Sequence, residues 1–80
     1  MRKVVNGLIY DTDKMEYLFR AVYEGEVRLE FYKARNGEYI QYKPQFKTME
    51  IVKYEWIMYI AERLLSADEY VSIFGQVKEA

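Results

Sequence analysis

Eighty residues carry 12 basic and 13 acidic side chains, for a net charge of −1, with 51% hydrophobic residues and neither histidine nor cysteine. That length and composition suit one globular domain, residues 1–80, and exclude a disordered chain. The missing His and Cys remove the commonest general base, the thiolate nucleophile, disulfides and most zinc sites, so packing or a partner subunit must stabilise the fold.

Near-neutrality argues against a strongly acidic DNA mimic and against a basic nucleic-acid binder. Residues 1–47 hold 9 basic and 7 acidic side chains, and residues 48–80 hold 3 and 6, a mild polarity along the chain. No apolar run reaches the length of a membrane span. Asn6-Gly7 interrupts the apolar residues near the start, so the expectation is a soluble, unexported, cytoplasmic protein.

The first element is a short hairpin. Asn6-Gly7 suits a two-residue type I′ turn, pairing Val5 with Leu8 and Val4 with Ile9. A helix is expected between Asp11 and Gly25, with Asp11 as N-cap and Tyr10 and Met15 as a hydrophobic staple. Met15, Leu18, Phe19 and Val22 fall at i, i+3, i+4 and i+7.

A second hairpin follows, with Asn36-Gly37 read as a two-residue loop. Phe31 then faces Tyr42, and Glu30 faces Lys43. One face carries Val27, Leu29, Phe31, Ile40, Tyr42 and Phe46; the other carries Arg28, Glu30, Tyr32, Tyr39, Gln41 and Lys43. Pro44 marks an edge or an ending. A further strand is expected over Thr48–Val52.

A helix over Lys53–Leu65 comes next. Its stripe of Ile57, Ile60, Ala61 and Leu64 adjoins a second of Tyr54, Met58, Ala61 and Leu65, and Trp56 and Tyr59 extend the apolar surface on the other flank. Ser66-Ala67-Asp68-Glu69 is a capping box that opens a short last helix, which Gly75 ends. The predicted order is ββ-α-ββ(β)-α-α: an α+β fold, a small antiparallel sheet with helices packed on one face.

Little here points to catalysis, and no enzyme activity or cofactor is expected. Asp11 with Asp13, and Asp68 with Glu69, sit where helix starts favour negative charge. Ser66 is used as a cap, and Ser72 has no histidine to activate it. The four glycines serve turns and helix ends, not a phosphate loop.

The binding candidates are clearer. Arg28, Tyr32, Arg35, Tyr39 and Lys43 would form a basic, aromatic platform on the outer sheet face. Stacking on such a face serves some RNA- and single-strand-binding sheets, but Glu30 and Glu38 would repel phosphate. Trp56 and Tyr59 are the second group, either core or an exposed patch for a partner.

The two ends of the chain resemble a family. Val4-Val5-Asn6-Gly7-Leu8-Ile9-Tyr10-Asp11-Thr12 is similar to the opening of small accessory proteins of bacterial phages and integrative elements: an apolar pair, Asn-Gly, one or two variable residues, then Tyr-Asp-Thr, followed by a helix. Ser66-Ala67-Asp68-Glu69-Tyr70-Val71-Ser72-Ile73-Phe74-Gly75 resembles their closing Tyr-x-x-(Ile/Leu)-Phe-Gly helix. Such mobile-element proteins include anti-CRISPR inhibitors, which occupy a surface of a Cas protein and need no catalytic residue. The resemblance therefore implies a stoichiometric protein-binding inhibitor of a host protein, a Cas effector foremost, inside the bacterial cytoplasm. The alternatives are a single-strand nucleic-acid-binding accessory protein and a self-associating module that buries the spare helix face in a homodimer.

Overall fold

A computed structural model describes residues 1–80. It is the expected α+β class, with two antiparallel sheets and two α-helices. Strands β1 (Arg2–Val5) and β2 (Leu8–Asp11) form a separate two-stranded hairpin. Strands β3 (Glu16–Tyr23), β4 (Glu26–Lys33), β5 (Tyr39–Lys43) and β6 (Thr48–Val52) form a meander in that spatial order. Helices α1 (Tyr54–Leu64) and α2 (Ala67–Phe74) follow. Neither is long and apolar enough to cross a membrane.

The N-terminal hairpin has the predicted register, Val5 opposite Leu8 and Val4 opposite Ile9. Both loop residues take positive φ, 51° at Asn6 and 80° at Gly7, as a type I′ turn requires. Asp11 does cap, but only a single 3₁₀ turn over Thr12–Lys14, where its carboxylate accepts from the Asp13 N–H at 3.0 Å.

The expected helix between Asp11 and Gly25 is instead the edge strand β3. Its apolar spacing mimics a helix because the strand is irregular. Tyr17 pairs with Tyr32 and Phe19 with Phe31, which leaves Leu18 as an extra, bulged residue. A bulge lets neighbours share a face, and Leu18 and Phe19 both enter the core under the helices. Met15, the first member of the supposed stripe, packs on the opposite side of the sheet. Glu24 and Gly25, at φ 53° and 77°, form a two-residue hairpin turn, not a helix end.

The β4–β5 hairpin is shifted by one residue from the predicted register. Its loop is Arg35-Asn36-Gly37, three residues long. The Gly37 N–H donates to the Ala34 carbonyl at 2.9 Å, and the Ala34 N–H donates to the Glu38 carbonyl at 2.8 Å. Only Gly37 has positive φ (90°), so the turn is type I followed by a glycine bulge. Tyr32 therefore faces Ile40, and Phe31 faces Gln41. A one-residue slip exchanges the faces of one strand relative to the other. A Gly37→Ala substitution should cost about 1–2 kcal/mol, the usual penalty for an L-residue in left-handed backbone, because open space around the position leaves the backbone as the only strain. Urea unfolding checks this.

With this register both sheet faces carry a core. On one, the N-terminal hairpin brings Tyr10 onto Tyr32, Ala34, Ile40 and Met49. On the other, Ile57 and Ala61 of α1 meet Leu18, Phe19 and Phe31, with Tyr70, Ile73 and Phe74 of α2 packed around them. The helices lie on one face, as predicted. Phe46, expected in the core, is 73% exposed in the β5–β6 loop. That loop starts at Pro44, within a turn closed by the Phe46 N–H to the Lys43 carbonyl at 3.2 Å.

The last helix begins as expected. Ser66 Oγ accepts from the Glu69 N–H at 3.2 Å, and the Glu69 carboxylate accepts from the Ser66 N–H at 2.9 Å. These bonds hold the Glu69 carboxyl below its usual range. Gly75, at φ 96°, closes the helix.

Candidate protein-binding surface

The outer sheet platform does not assemble. Tyr32 is buried beneath the N-terminal hairpin, where its hydroxyl donates to Glu30 Oε1 at 2.7 Å. Tyr39 lies on the opposite, helix-bearing face and packs against Tyr54 with ring centroids 5.3 Å apart. The register shift separates these two tyrosines, because it places Tyr39 in the row of Lys33 and not that of Tyr32.

The basic members are also dispersed. Arg28 is the extra residue of a second bulge, between Ala21–Leu29 and Val22–Val27. Its guanidinium lies 3.5 Å from Glu26 and 3.8 Å from Glu24, and donates to Gln45 at 3.0 Å, so its charge is spent joining two loops. Lys43 lies 3.7 Å from Glu50. Arg35, at the β4–β5 turn, lines a cleft with Arg2, Lys14 and Asn36, at whose edge Arg2 reaches Asp11 at 3.4 Å.

Burial pushes the Tyr32 phenol well above the ordinary tyrosine range, and the hydrogen bond to Glu30 adds to it. The unfolded chain releases this proton near pH 10, while the folded chain keeps it. The resulting stability is complete below about pH 10 and is lost as pH rises towards the folded value. Tyr32→Phe should therefore flatten the fall of the urea midpoint above pH 10. An unchanged alkaline slope would show that Tyr32 does not carry it.

Trp56 and Tyr59 do come together. On α1, positions 56, 59 and 63 recur at i, i+3 and i+7 along one flank, beside the buried Ile57–Ala61 stripe. The Trp56 and Tyr59 rings stack at 5.7 Å and 10°. The Arg63 guanidinium lies 3.4 Å from the Tyr59 ring centroid and donates to the Tyr59 carbonyl at 3.0 Å. The result is a three-layer laminate: indole, phenol, guanidinium.

Its inner end is fixed. The Trp56 indole N–H donates to Gln41 Oε1 at 2.6 Å, and Gln41 is the one buried polar side chain of the sheet. Trp56 and Tyr59 nonetheless stay 42% and 47% exposed. Two aromatic rings and an arginine thus pack on one another while facing solvent, with the indole anchored at Gln41. Such residues dominate binding hot spots, and a side chain already ordered loses less entropy on binding. Arg63 and Gln41 were not among the sequence candidates. The signal for Arg63 was its place four residues after Tyr59; the Gln41 contact spans strand and helix and has no local signal.

No family model, curated protein or solved structure matches this chain.

Proposed function

We propose that this chain is a stoichiometric protein-binding inhibitor that acts by covering a surface of a host protein. The observation that carries this reading is the exposed, pre-ordered Trp56–Tyr59–Arg63 laminate. It supplies anchor residues for an interface. The resemblance of Val4–Thr12 and Ser66–Gly75 to phage and integrative-element accessory proteins specifies the setting: the bacterial cytoplasm, with a Cas effector as foremost target.

The test is capture followed by function. Tagged chain is passed over extracts of a host carrying defined Cas effectors, and bound effector is assayed for interference. The expected result is retention of one effector with loss of its activity at a one-to-one ratio, and release of both effects by Trp56→Ala. Full interference in every effector tested would remove the inhibitor reading for those systems.

A further inference from the structure

We propose that Asn6 is a self-modification site, where the Gly7 nitrogen attacks the Asn6 side-chain amide and converts it to aspartate or isoaspartate, whereas Asn36-Gly37, the same dipeptide, is held unreactive by its hydrogen bonds. This site is distinct from the α1 laminate and does not depend on the inhibitor reading.

The chemistry needs only these two residues and water. The Gly7 nitrogen gives up its proton and bonds to Asn6 Cγ. The Cγ–Nδ2 bond breaks, ammonia leaves, and a five-membered succinimide closes. Water then opens the ring at either carbonyl, and no electrons change hands. Opening at Cγ leaves aspartate with the chain intact. Opening at the main-chain carbonyl leaves isoaspartate, with the chain rerouted through Cβ and Cγ. Glycine is the best following residue, because no side chain hinders the nitrogen and the backbone is free to turn.

The structure separates the two dipeptides by bonding, since both are exposed. The side-chain hydrogen bonds of the N-terminal hairpin run through Met1, Tyr10, Asp11 and Thr12 and leave the Asn6 amide free. Neither the Asn6 carbonyl nor the Gly7 N–H has a backbone partner, and the space around Gly7 is open. Rotating this one unbonded peptide turns type I′ into type II′, in which ψ of the first loop residue is about −120°. That angle brings the Gly7 nitrogen into line with the Asn6 Cβ, as ring closure requires. Asn6 already has the positive φ that both turns use, and glycine accepts either sign. Both turn types close two-residue hairpins, so the Val5–Leu8 pairing survives the rotation. Asn36-Gly37 lacks this freedom. The Gly37 N–H donates to the Ala34 carbonyl at 2.9 Å, Asn36 Oδ1 accepts from the Glu38 N–H at 3.0 Å, and Nδ2 donates to the Tyr10 hydroxyl at 3.3 Å. The nucleophile, the carbonyl under attack and the leaving group are each engaged.

The two products act differently on the hairpin. Asp-Gly suits a type I′ turn as Asn-Gly does, so aspartate keeps the turn and adds one negative charge. Isoaspartate adds a main-chain carbon to a two-residue loop, and loop length is what fixes hairpin register. Val5, the residue before the turn, and Tyr10 then lose their set positions on the cluster of Tyr32, Ile40 and Met49.

Ageing the whole folded chain in mildly alkaline buffer, followed by tryptic mass mapping, tests the proposal. The sites fall on separate peptides: Val4–Lys14 carries Asn6, and Asn36–Lys47 carries Asn36, because trypsin spares the Lys43-Pro44 bond. Conversion at Asn6 should outrun that at Asn36 roughly ten-fold or more, since each hydrogen bond that must break first is worth several-fold in rate. The Asn6 rate should rise with pH, because the attacking nitrogen must lose its proton. In urea the two sites should react at similar rates, as unfolding removes the bonds that protect Asn36. No conversion at Asn6 in the folded chain, equal or faster conversion at Asn36, or the same disparity in urea would overturn the proposal. The separated products give a second readout. The isoaspartate form should unfold at lower urea than the parent, and the aspartate form, matched by the variant Asn6→Asp, close to it. Coincident midpoints for the two products, or the reverse order, would refute the role given to the turn.

Discussion

Phe31→Ala should remove about 3–5 kcal/mol of folding free energy, the cost of emptying a fully buried aromatic site. The Phe31 ring is sealed between the sheet and α1, with its centroid 4.7 Å from that of Phe19. A chain of this length holds only about 4–12 kcal/mol in total, so the loss takes a large fraction of its stability. Urea titration by circular dichroism measures the loss directly. Ile40→Ala, at an equally buried site on the other face, should cost about 2–5 kcal/mol. A silent Ile40→Ala beside a damaging Phe31→Ala would mean that the hairpin-side cluster is not a core in its own right.

The second large effect concerns binding. Trp56→Ala should weaken capture of the target by about 2–4 kcal/mol, or roughly 30- to 1000-fold, as truncation of a central anchor does. The loss has two parts. The indole area disappears from the interface, and the stacked Tyr59 and Arg63 lose the surface that orders them. The fold should survive, because the ring is half exposed and losing its single hydrogen bond to the buried Gln41 costs about 1–3 kcal/mol. Tyr59→Ala should weaken binding in the same direction. Leu8→Ala, exposed on the N-terminal hairpin, is the matched control and should leave affinity unchanged. Equal titration curves for Trp56→Ala and the parent chain would remove the laminate from the interface.

Local chemistry decided which elements could be read from sequence. The Asn6-Gly7 turn, the strand over Thr48–Val52, the 54–64 helix and the Ser66 capping box were legible because each rests on residues adjacent in the chain. The β3 strand was not. Its bulge at Leu18 breaks the period of two, and the remaining apolar spacing coincides with that of a helix. Asn36-Gly37 misled for a related reason. The dipeptide serves both a two-residue turn and the end of a three-residue loop, and only the wider structure chooses. That one residue of loop length moved Tyr32 into the core and dispersed the expected platform. Trp56 and Tyr59 were legible because helical spacing alone brings them together.

The N-terminal hairpin is joined to the main sheet by no backbone hydrogen bond. It is held by side chains: Val5, Tyr10 and Met15 on the apolar cluster, and the Tyr10 hydroxyl, which donates to Glu38 at 3.1 Å and accepts from Asn36 at 3.3 Å. A two-stranded ribbon has little stability of its own in water, so these contacts are what hold it folded against the sheet. Ile40 and Met49 in turn are buried in the cluster that Tyr10 of the hairpin completes. The hairpin and the sheet face it covers therefore stabilise one another through side chains alone.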